Sequence, residues 1–360
     1  MIPESVLFIP VSSSSGIGEY TRSLIIAKTL EKRWPCLEIH FILNKQVSYF
    51  SKCPYIVHGC EQSPTKEIAE VNRIIEMVSP DLVIFDAAGR AKQFAKAKAV
   101  GAKVAFISQH NKKRNRGLKL NRLINTDIHW VVQPGYTMRS ISCWQKAKLN
   151  VFNKLPPKNI GPVFELSDID YQQQLLVSFN LTQGQYVIFN AGSGGHLIGH
   201  DLAANIYFQA AQRVASQYKV KCIMVFGDNY SEKLPQSTDV VCIKSMPNQD
   251  FISLLANATV CVISAGDTLL QCIALKKPCV ATAISPDQPA RLKLCASQQL
   301  VRVAKPNIKS LVEQITTIIK ESAFKAAVTH NQPRNTGLEI IIKDISLLFN
   351  PLTKNDGYDL

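Results

Sequence analysis

Short apolar runs that alternate with helical spacing, first in one half of the chain and again in the other, constrain the fold most. Each half opens with an apolar run, a glycine-containing loop and a helix: VLFIPV at 6–11 leads into the loop at 12–18, and YVIF at 186–189 leads into the loop at 191–196. Continuous apolar runs are typical of buried parallel strands, and strands alternating with helices indicate a doubly wound sheet. The pattern predicts an α/β protein with two doubly wound (Rossmann-like) domains.

Further runs continue this pattern and define the expected domains. We predict strands at 39–43, 81–85, 103–107, 128–132, 221–226, 240–244, 260–263 and 279–281, and helices at 65–78, 91–100 and 201–216. A turn-rich segment, KLPPKNIGP at 154–162, is a predicted linker. We therefore expect domains at 1–160 and 161–345, with a tail at 346–360. Ligands bind at the carboxyl ends of parallel strands, so a cleft between the domains is the expected site.

Charge separates the two halves. Residues 1–160 hold 24 Lys and Arg against 11 Asp and Glu, a net of +13 out of +14 for the whole chain. Between Arg90 and Lys158, 16 basic residues stand against one acid, Asp127. The first half is therefore expected to meet an anion.

Cysteines and the N-terminus bear on location. The ten cysteines form no C-x-x-C pair, which favours a reduced cytoplasmic protein. Cys53, His58 and Cys60 lack a fourth spaced ligand, so we expect no metal there. The start lacks a charged segment of the secretory type and no 18-residue apolar run occurs, so neither export nor a membrane span is expected.

The first loop offers a candidate base. Glycines such as Gly18 let the chain turn from a strand into a helix whose first amides point at an anion. The third glycine of the dinucleotide fingerprint is missing, so a nicotinamide cofactor is not expected. Glu19 either complements the helix dipole or acts as general base on an acceptor hydroxyl. Arg22 either orients the acceptor or pairs with an acid.

Polar loops in the second half are candidates for binding an anionic ligand that also carries sugar hydroxyls. Glycines at 192, 194 and 195 would let amides close around a diphosphate, and a hydroxyl and an imidazole could add donors. In the segment 264–288, Thr268 could contact the anion, Gln271 a ribose, and the residues at 287 and 288 sugar hydroxyls. With Gly18 of the first loop, the candidate ligand-binding residues are Gly192, Ser193, Gly194, Gly195, His196, Ser264, Gly266, Asp267, Thr268, Gln271, Asp287 and Gln288.

Two of these loops carry a resemblance to a known family. GIGEYTRSL at 16–24 resembles the G-x-G-H-x-x-R-C-L of the nucleotide-sugar hydrolase of pseudaminic acid synthesis, and SAGDTLLQ at 264–271 resembles the S-G-G-x-T-x-x-E that it shares with the lipid-linked N-acetylglucosaminyltransferase of peptidoglycan synthesis. Both are GT-B enzymes. The resemblance implies a C-terminal donor domain, an N-terminal acceptor domain, UDP as the donor nucleotide, no cofactor and no metal, and it places Asp250 and Phe251 near the nucleobase.

Two departures from the family pattern affect the expected chemistry. The family's loop histidine is Glu19 here, which weakens the hydrolase assignment but leaves a carboxylate to serve as base. The family's ribose-binding glutamate is Gln271, which keeps hydrogen-bonding reach and loses charge.

The basic segment after the strand at 103–107 has three possible roles: a solvated loop, a nucleic-acid patch, or a surface for anionic lipid. It has no interleaved aromatic residues, so nucleic acid is not expected. Leucines and an isoleucine among the cations suit a membrane surface, at roughly 1 kcal/mol per basic residue. The predicted membrane or acceptor surface comprises Lys112, Lys113, Arg114, Arg116, Lys119 and Arg122.

Together these features predict a GT-B glycosyltransferase. It would move a sugar from a nucleotide-sugar to a surface-polysaccharide or lipid-linked acceptor, as a peripheral protein on the inner face of a bacterial cytoplasmic membrane. The alternatives are a nucleotide-sugar hydrolase and a non-catalytic polyanion-binding protein on the same fold.

Overall fold

The computed structural model describes residues 2–11, 17–325 and 336–350, which form two compact units. Unit 1 comprises the described residues up to Val163 and from Thr336 onward, and unit 2 begins at Phe164. Part of the first glycine loop, residues 12–16 with Gly16, lies outside the described residues, as do positions 351–360 of the predicted tail.

Unit 1 is a seven-stranded sheet in which every neighbouring pair is parallel. The strand order is β3-β2-β1-β4-β5-β6-β7, so the order reverses between β1 and β4. Its elements are β1 (Ser5–Pro10), α1 (Gly18–Arg33), β2 (Glu38–Asn44), β3 (Ile56–Cys60), α2 (Ile68–Val78), β4 (Leu82–Asp86), α3 (Ala91–Ala99), β5 (Lys103–Ser108), α4 (Asn111–Gly117), α5 (Leu120–Leu123), β6 (Ile128–Val131), a 3₁₀ turn (Gly135–Thr137), α6 (Cys143–Val151) and β7 (Lys158–Asn159).

Both faces of the first sheet are buried. Because successive side chains of a strand point to opposite faces, each strand contributes to two apolar clusters. In β1, Val6 and Phe8 join one apolar cluster, and Leu7 and Ile9 join the other. This explains why the strands have continuous apolar runs without polar alternation.

The last described helix packs on unit 1. Leu338, Ile341 and Ile345 of the helix Gly337–Phe349 (α13, the last in chain order) belong to the same cluster as Val6. Asp344 accepts hydrogen bonds from Trp130 Nε1 at 2.9 Å and Lys158 Nζ at 2.7 Å. The predicted assignment of residues up to 345 to the second domain was therefore wrong for this helix, whose apolar face is complementary to the first sheet.

Unit 2 is a second parallel sheet, of six strands, in the order β12-β11-β8-β13-β14-β15. Its order reverses between β8 and β13. The elements are α7 (Ile169–Ser178), β8 (Tyr186–Asn190), a short hairpin of β9 (Leu197–Ile198) and β10 (Asp201–Leu202), α8 (Ala203–Tyr218), β11 (Lys221–Val225), β12 (Val240–Ile243), α9 (Asn248–Asn257), β13 (Val260–Ser264), α10 (Asp267–Ala274), β14 (Cys279–Thr282), α11 (Gln288–Ser297), β15 (Arg302–Val303) and α12 (Ile308–Lys325).

The prediction of two doubly wound parallel domains is confirmed. Each predicted strand is present, and none of its ends differs from the prediction by more than one residue. The strands that were not predicted are short or lie at a sheet edge, where fewer apolar residues are needed. One of them, β7, lies within the predicted linker and extends the first sheet beside β6.

Candidate functional site

The carboxyl ends of β1, β4 and β5 bring charged residues together in unit 1, next to the point where the strand order reverses. Ligands of doubly wound folds bind beside such a point. Glu19, in the first turn of α1, lies here, and Gly18 before it is exposed with open space around its Cα. The helix that follows the predicted loop therefore begins at the carboxyl ends of the strands, as expected.

Glu19 is held by two residues that follow β5. Its Oε1 accepts a hydrogen bond from Gln109 Nε2 at 3.1 Å and lies 3.3 Å from Lys113 Nζ. The side chain of Glu19 is 14% exposed. Both contacts engage Oε1, so an acceptor hydroxyl would have to approach Oε2. The role of Glu19 as base stays a prediction.

Arg22 is turned toward the interior, one helical turn beyond Glu19. Its Nε donates to Asp86 Oδ2 at 2.8 Å and its Nη2 to Oδ1 at 2.6 Å, while Ser23 Oγ lies 3.4 Å from Oδ2. Asp86 is fully buried at the end of β4. Burial raises the pKa of Asp86 to about 6, although Arg22 lowers it. The ion-pair alternative for Arg22 is therefore what the structure shows, and this residue fixes α1 on the sheet.

Only part of the predicted basic surface faces solvent. Lys112, Arg116 and Lys119 are exposed, whereas Lys113 pairs with Glu19. The arginines at 114 and 122 are buried.

Arg114 and Arg122 were wrongly assigned to that surface. Arg114 is 4% exposed and donates to the carbonyl of Arg139, and Arg122 is 7% exposed and donates to the carbonyl of Gly89 at 2.6 Å. The guanidinium of Arg122 also lies 5.8 Å from the ring centroid of Phe94. Desolvation, with repulsion from neighbouring arginines, lowers the pKa of Arg122 to about 10. Each arginine satisfies a carbonyl of a loop, and the helices that carry them pack on the unit, α4 on β5 and α5 on α3.

An apolar stripe on α6 was not found from the sequence. Trp144 is 72% exposed and Val151, seven residues on, is 76% exposed, and Leu155 beyond the helix is 80% exposed. Residues seven apart share a helix face. The inner face of α6 packs through Leu149 on the buried Leu118 of the basic segment. The spacing of apolar residues after Ser142, which caps the helix, is the signal that could have revealed this stripe.

In unit 2, the loop after β8 contains the predicted phosphate-binding glycines. Gly192 and Gly194 have φ of +76° and +92°, which glycine adopts without strain. The amide of Gly192 donates to Asn190 Oδ1 at 3.0 Å. A Cβ on Gly194 would lie 2.4 Å from the carbonyl oxygen of Phe226, so this glycine is needed for close packing. Ser193 and Gly195 are exposed.

Three loops converge at the carboxyl ends of β8, β13 and β14. A Cβ on Gly192 would lie 3.2 Å from Ser264 Oγ and 3.8 Å from His196 Cδ2. A Cβ on Gly266 would lie 3.7 Å from the same Oγ and 3.8 Å from Gln288 Nε2. The structure thus brings together the predicted residues of the glycine loop and of the two later segments, beside the strand-order reversal of this sheet.

Asp287 and Gln288 make local contacts in this cluster. Asp287 accepts a hydrogen bond from Ser285 Oγ at 2.6 Å, which lowers the pKa of its carboxyl, with smaller contributions from Arg291 and His196. Gln288 is 5% exposed and its Oε1 accepts from the amide of Ile284 at 2.9 Å. Its amide nitrogen faces Gly266.

Arg291 was missed by sequence reasoning. Its Nη1 donates to the carbonyl of Ala265 at 3.0 Å, and its Nη2 lies 3.2 Å from Asp267 Oδ1. Its position four residues after Asp287 on α11, one helical turn away, is the signal that could have pointed to it.

The other predicted donor residues lie on α9 and α10. Thr268 and Gln271 are half-buried on the first turns of α10. Asp250 accepts a hydrogen bond from the hydroxyl of Tyr171 in α7 at 2.8 Å, and Phe251 beside it is half-buried. That hydrogen bond ties α9 to α7.

Within the part of the chain that the structure describes, no group of three or more His, Cys, Asp or Glu side chains has a geometry that could hold a metal ion. His58 Nε2 instead lies 3.1 Å from His40 Nδ1. Over the same residues, no helix combines the length and apolar character needed to span a membrane.

Comparison with known proteins identifies the fold. No protein-family model matches the chain, and no curated protein matches it. Among solved structures, the kitacinnamycin glycosyltransferase aligns over 98% of this chain and 100% of its own with a TM-score of 0.63 and 12% identity. The calicheamicin glycosyltransferase CalG4 aligns over 98% of this chain and 100% of its own, with a TM-score of 0.61 and 13% identity.

A third similar structure is a UDP-GlcNAc 2-epimerase from Neisseria meningitidis bound to UDP-GlcNAc, which aligns over 96% of this chain and 100% of its own at a TM-score of 0.56 and 12% identity. The structural relatives are thus GT-B glycosyltransferases and UDP-GlcNAc 2-epimerases, and this chain has the GT-B fold. The expectation drawn from the loop motifs is confirmed for the fold.

Proposed function

We propose that this protein is a glycosyltransferase that takes a sugar from a nucleotide-sugar, with UDP as the expected nucleotide. The observation that carries the proposal is the convergence of three loops at the strand-order reversal of unit 2. Amides of residues 193–195, the hydroxyl of Thr268 and the cluster around Ser264 offer hydrogen-bond donors to a diphosphate. The similar fold of glycosyltransferases, some solved with UDP or a UDP-sugar, supports this assignment.

In the proposed reaction, unit 1 binds the acceptor and supplies the base. Glu19 takes the proton from the acceptor hydroxyl as that oxygen attacks the anomeric carbon, and the bond from that carbon to the diphosphate breaks. The loop amides and the Thr268 hydroxyl would stabilise the charge that develops on the diphosphate. The buried pair of Arg22 and Asp86 holds the helix that carries Glu19.

We further propose that the acceptor is glycan or lipid-linked material at an anionic membrane. Its support is the exposed Trp144 and Val151 stripe of α6, in a region that also exposes Lys112, Arg116 and Lys119. Three cations near an anionic leaflet contribute about 3 kcal/mol of binding. An aromatic ring among them suits the interface between headgroups and acyl chains.

A second candidate is an enzyme that acts on the nucleotide-sugar alone, as a hydrolase or a 2-epimerase. The observation that favours it is that several of the structural relatives are UDP-GlcNAc 2-epimerases. It needs no acceptor surface.

Product analysis separates these candidates. The full chain is incubated with nucleotide-sugars with and without a bacterial membrane extract, and the products are resolved by mass spectrometry. A glycosyltransferase should release nucleoside diphosphate mainly when the extract is present, and Glu19→Gln should lower that rate by about 10²-fold or more. Free sugar or an epimer formed at the same rate from donor alone would establish the second candidate. No product with any donor would favour the polyanion-binding alternative.

Flotation tests the membrane surface. The full chain should float with phosphatidylglycerol-rich vesicles at low salt and dissociate at high salt. A Trp144→Ser and Val151→Ser double variant should lose flotation. The matched control is Ile169→Ser with Val177→Ser, which removes two equally exposed apolar residues from α7 of unit 2 and should float normally. Equal flotation of the two double variants would refute the surface.

A further inference from the structure

The donor cluster of unit 2 contains acids that a diphosphate would have to tolerate. Asp267 is the first residue of α10, and its side chain is 67% exposed. Asp287 lies beside His196 and is ionised more readily than an ordinary aspartate, because its pKa is lowered. Two carboxylates next to amides that would bind an anion are unfavourable unless a cation compensates them.

Arg291 is placed to be that cation. It reaches from α11 to the end of β13, where its Nη1 donates to the carbonyl of Ala265 and its Nη2 pairs with Asp267. Its side chain is 20% exposed, so it is mostly packed but still accessible to solvent. The carbonyl contact fixes the guanidinium beside Gly266, where the glycine loop and Gln288 also meet.

We infer that Arg291 binds the diphosphate of the donor and exchanges Asp267 for it. A guanidinium has several N–H donors in a fixed plane, so it can keep its bond to the Ala265 carbonyl while other N–H groups move from a carboxylate to a phosphate. In the free protein Asp267 occupies the position that the phosphate takes in the complex. Asp267 therefore competes with the ligand, whereas Arg291 makes the site selective for an anionic diphosphate over an uncharged nucleoside.

This inference rests on the proposed function, because it assumes that the cluster binds a nucleoside diphosphate. It goes beyond that proposal by assigning opposite effects to two neighbouring residues. Loss of Arg291 should weaken binding of the diphosphate, and loss of the charge on Asp267 should strengthen it.

Calorimetric titration of the full chain tests the inference. UDP, CDP, dTDP and GDP are titrated first, and the tightest binder is then compared with its own nucleoside. Arg291→Gln should weaken the diphosphate roughly 10- to 100-fold and the nucleoside less than about threefold, because a charge-assisted hydrogen bond is lost only with the former. Arg291→Lys should fall between, since the planar fork is lost and the charge is kept.

Asp267→Asn is the second arm, and it leaves the bond between Arg291 and the Ala265 carbonyl in place. It should tighten the diphosphate about two- to fivefold, the range expected for an exposed ion pair. Lys293→Gln, on the exposed face of α11, is the control for general loss of charge and should leave both affinities unchanged.

The outcomes separate the two levels of the proposal. If no diphosphate binds the unmodified chain, the proposed donor site itself is refuted, and this inference with it. If a diphosphate binds and Arg291→Gln weakens diphosphate and nucleoside equally, with no gain from Asp267→Asn, Arg291 is only a tie between α11 and β13. In that case the proposed function stands and this inference fails.

Discussion

Replacing Arg22 with methionine should destabilise unit 1 by an amount that grows with pH. The bidentate pair of Arg22 and Asp86 is buried, and removing one partner of a buried pair costs about 3–5 kcal/mol when the other stays charged. Asp86 can instead remain protonated, because burial already raises its pKa to about 6 with the arginine present. The full cost therefore applies only where the pH forces the carboxyl to ionise.

The direction of this pH dependence follows from the number of protons that Asp86 binds in the folded and in the unfolded state. The folded pKa of Asp86 lies above the ordinary value of 3.8, so its contribution to stability falls as pH rises from about 4 to about 6 and is constant above. Without Arg22 the folded pKa rises further, and stability continues to fall above pH 6 by up to about 1.4 kcal/mol per pH unit. Between pH 5 and pH 8, the difference in the free energy of unfolding between the variant and the unmodified protein should grow by about 2–3 kcal/mol.

Urea unfolding followed by tryptophan fluorescence measures the free energy of unfolding of unit 1 alone. All three tryptophans, at 34, 130 and 144, belong to that unit. Arg73→Met is the matched control, because Arg73 pairs with Glu70 on an exposed helix face, and its loss should leave stability nearly unchanged at either pH. A destabilisation by Arg22→Met that is equal at pH 5 and pH 8 would refute the reasoning.

Two further predictions concern close packing and a buried imidazole. Gly227→Ala should cost more than about 2 kcal/mol by calorimetry, because its φ is +98° and the new Cβ would lie 2.3 Å from the carbonyl carbon of Ser193. Gly184→Ala, at φ +72° with no atom within 4 Å, isolates the backbone strain, and an equal loss would contradict the packing argument. Burial lowers the pKa of His129 to about 3, so its contribution to stability is lost as pH falls from about 6.5 toward 3. Comparing pH 7 with pH 5 by tryptophan fluorescence, His129→Gln should remove about 2 kcal/mol of acid sensitivity, and an unchanged pH dependence would show that the imidazole is not the cause.

The corrected positions have a common physical cause. The sequence shows that residues 112–122 are basic, but whether a cation faces solvent depends on which loop carbonyls lie within its reach. Arg114 and Arg122 have long apolar stems and planar heads, so they can be buried where a carbonyl accepts their N–H groups. The helix Gly337–Phe349 was misassigned for a related reason, because an amphipathic pattern shows that a face is buried and not which sheet buries it.

The sequence by itself determined which segments form strands, helices and glycine loops along the chain. Buried parallel strands require continuous apolar runs, and tight turns into helices require glycine, so the two doubly wound sheets and the loops at 192–195 and 264–268 follow from short-range patterns. The tertiary structure alone decided which polar groups meet. No local pattern pairs Asp86 with Arg22 or Arg291 with Ala265, because these partners are 64 and 26 residues apart along the chain. Such pairs form only after parallel strands align their carboxyl ends, which is a consequence of strand order and not of any local pattern.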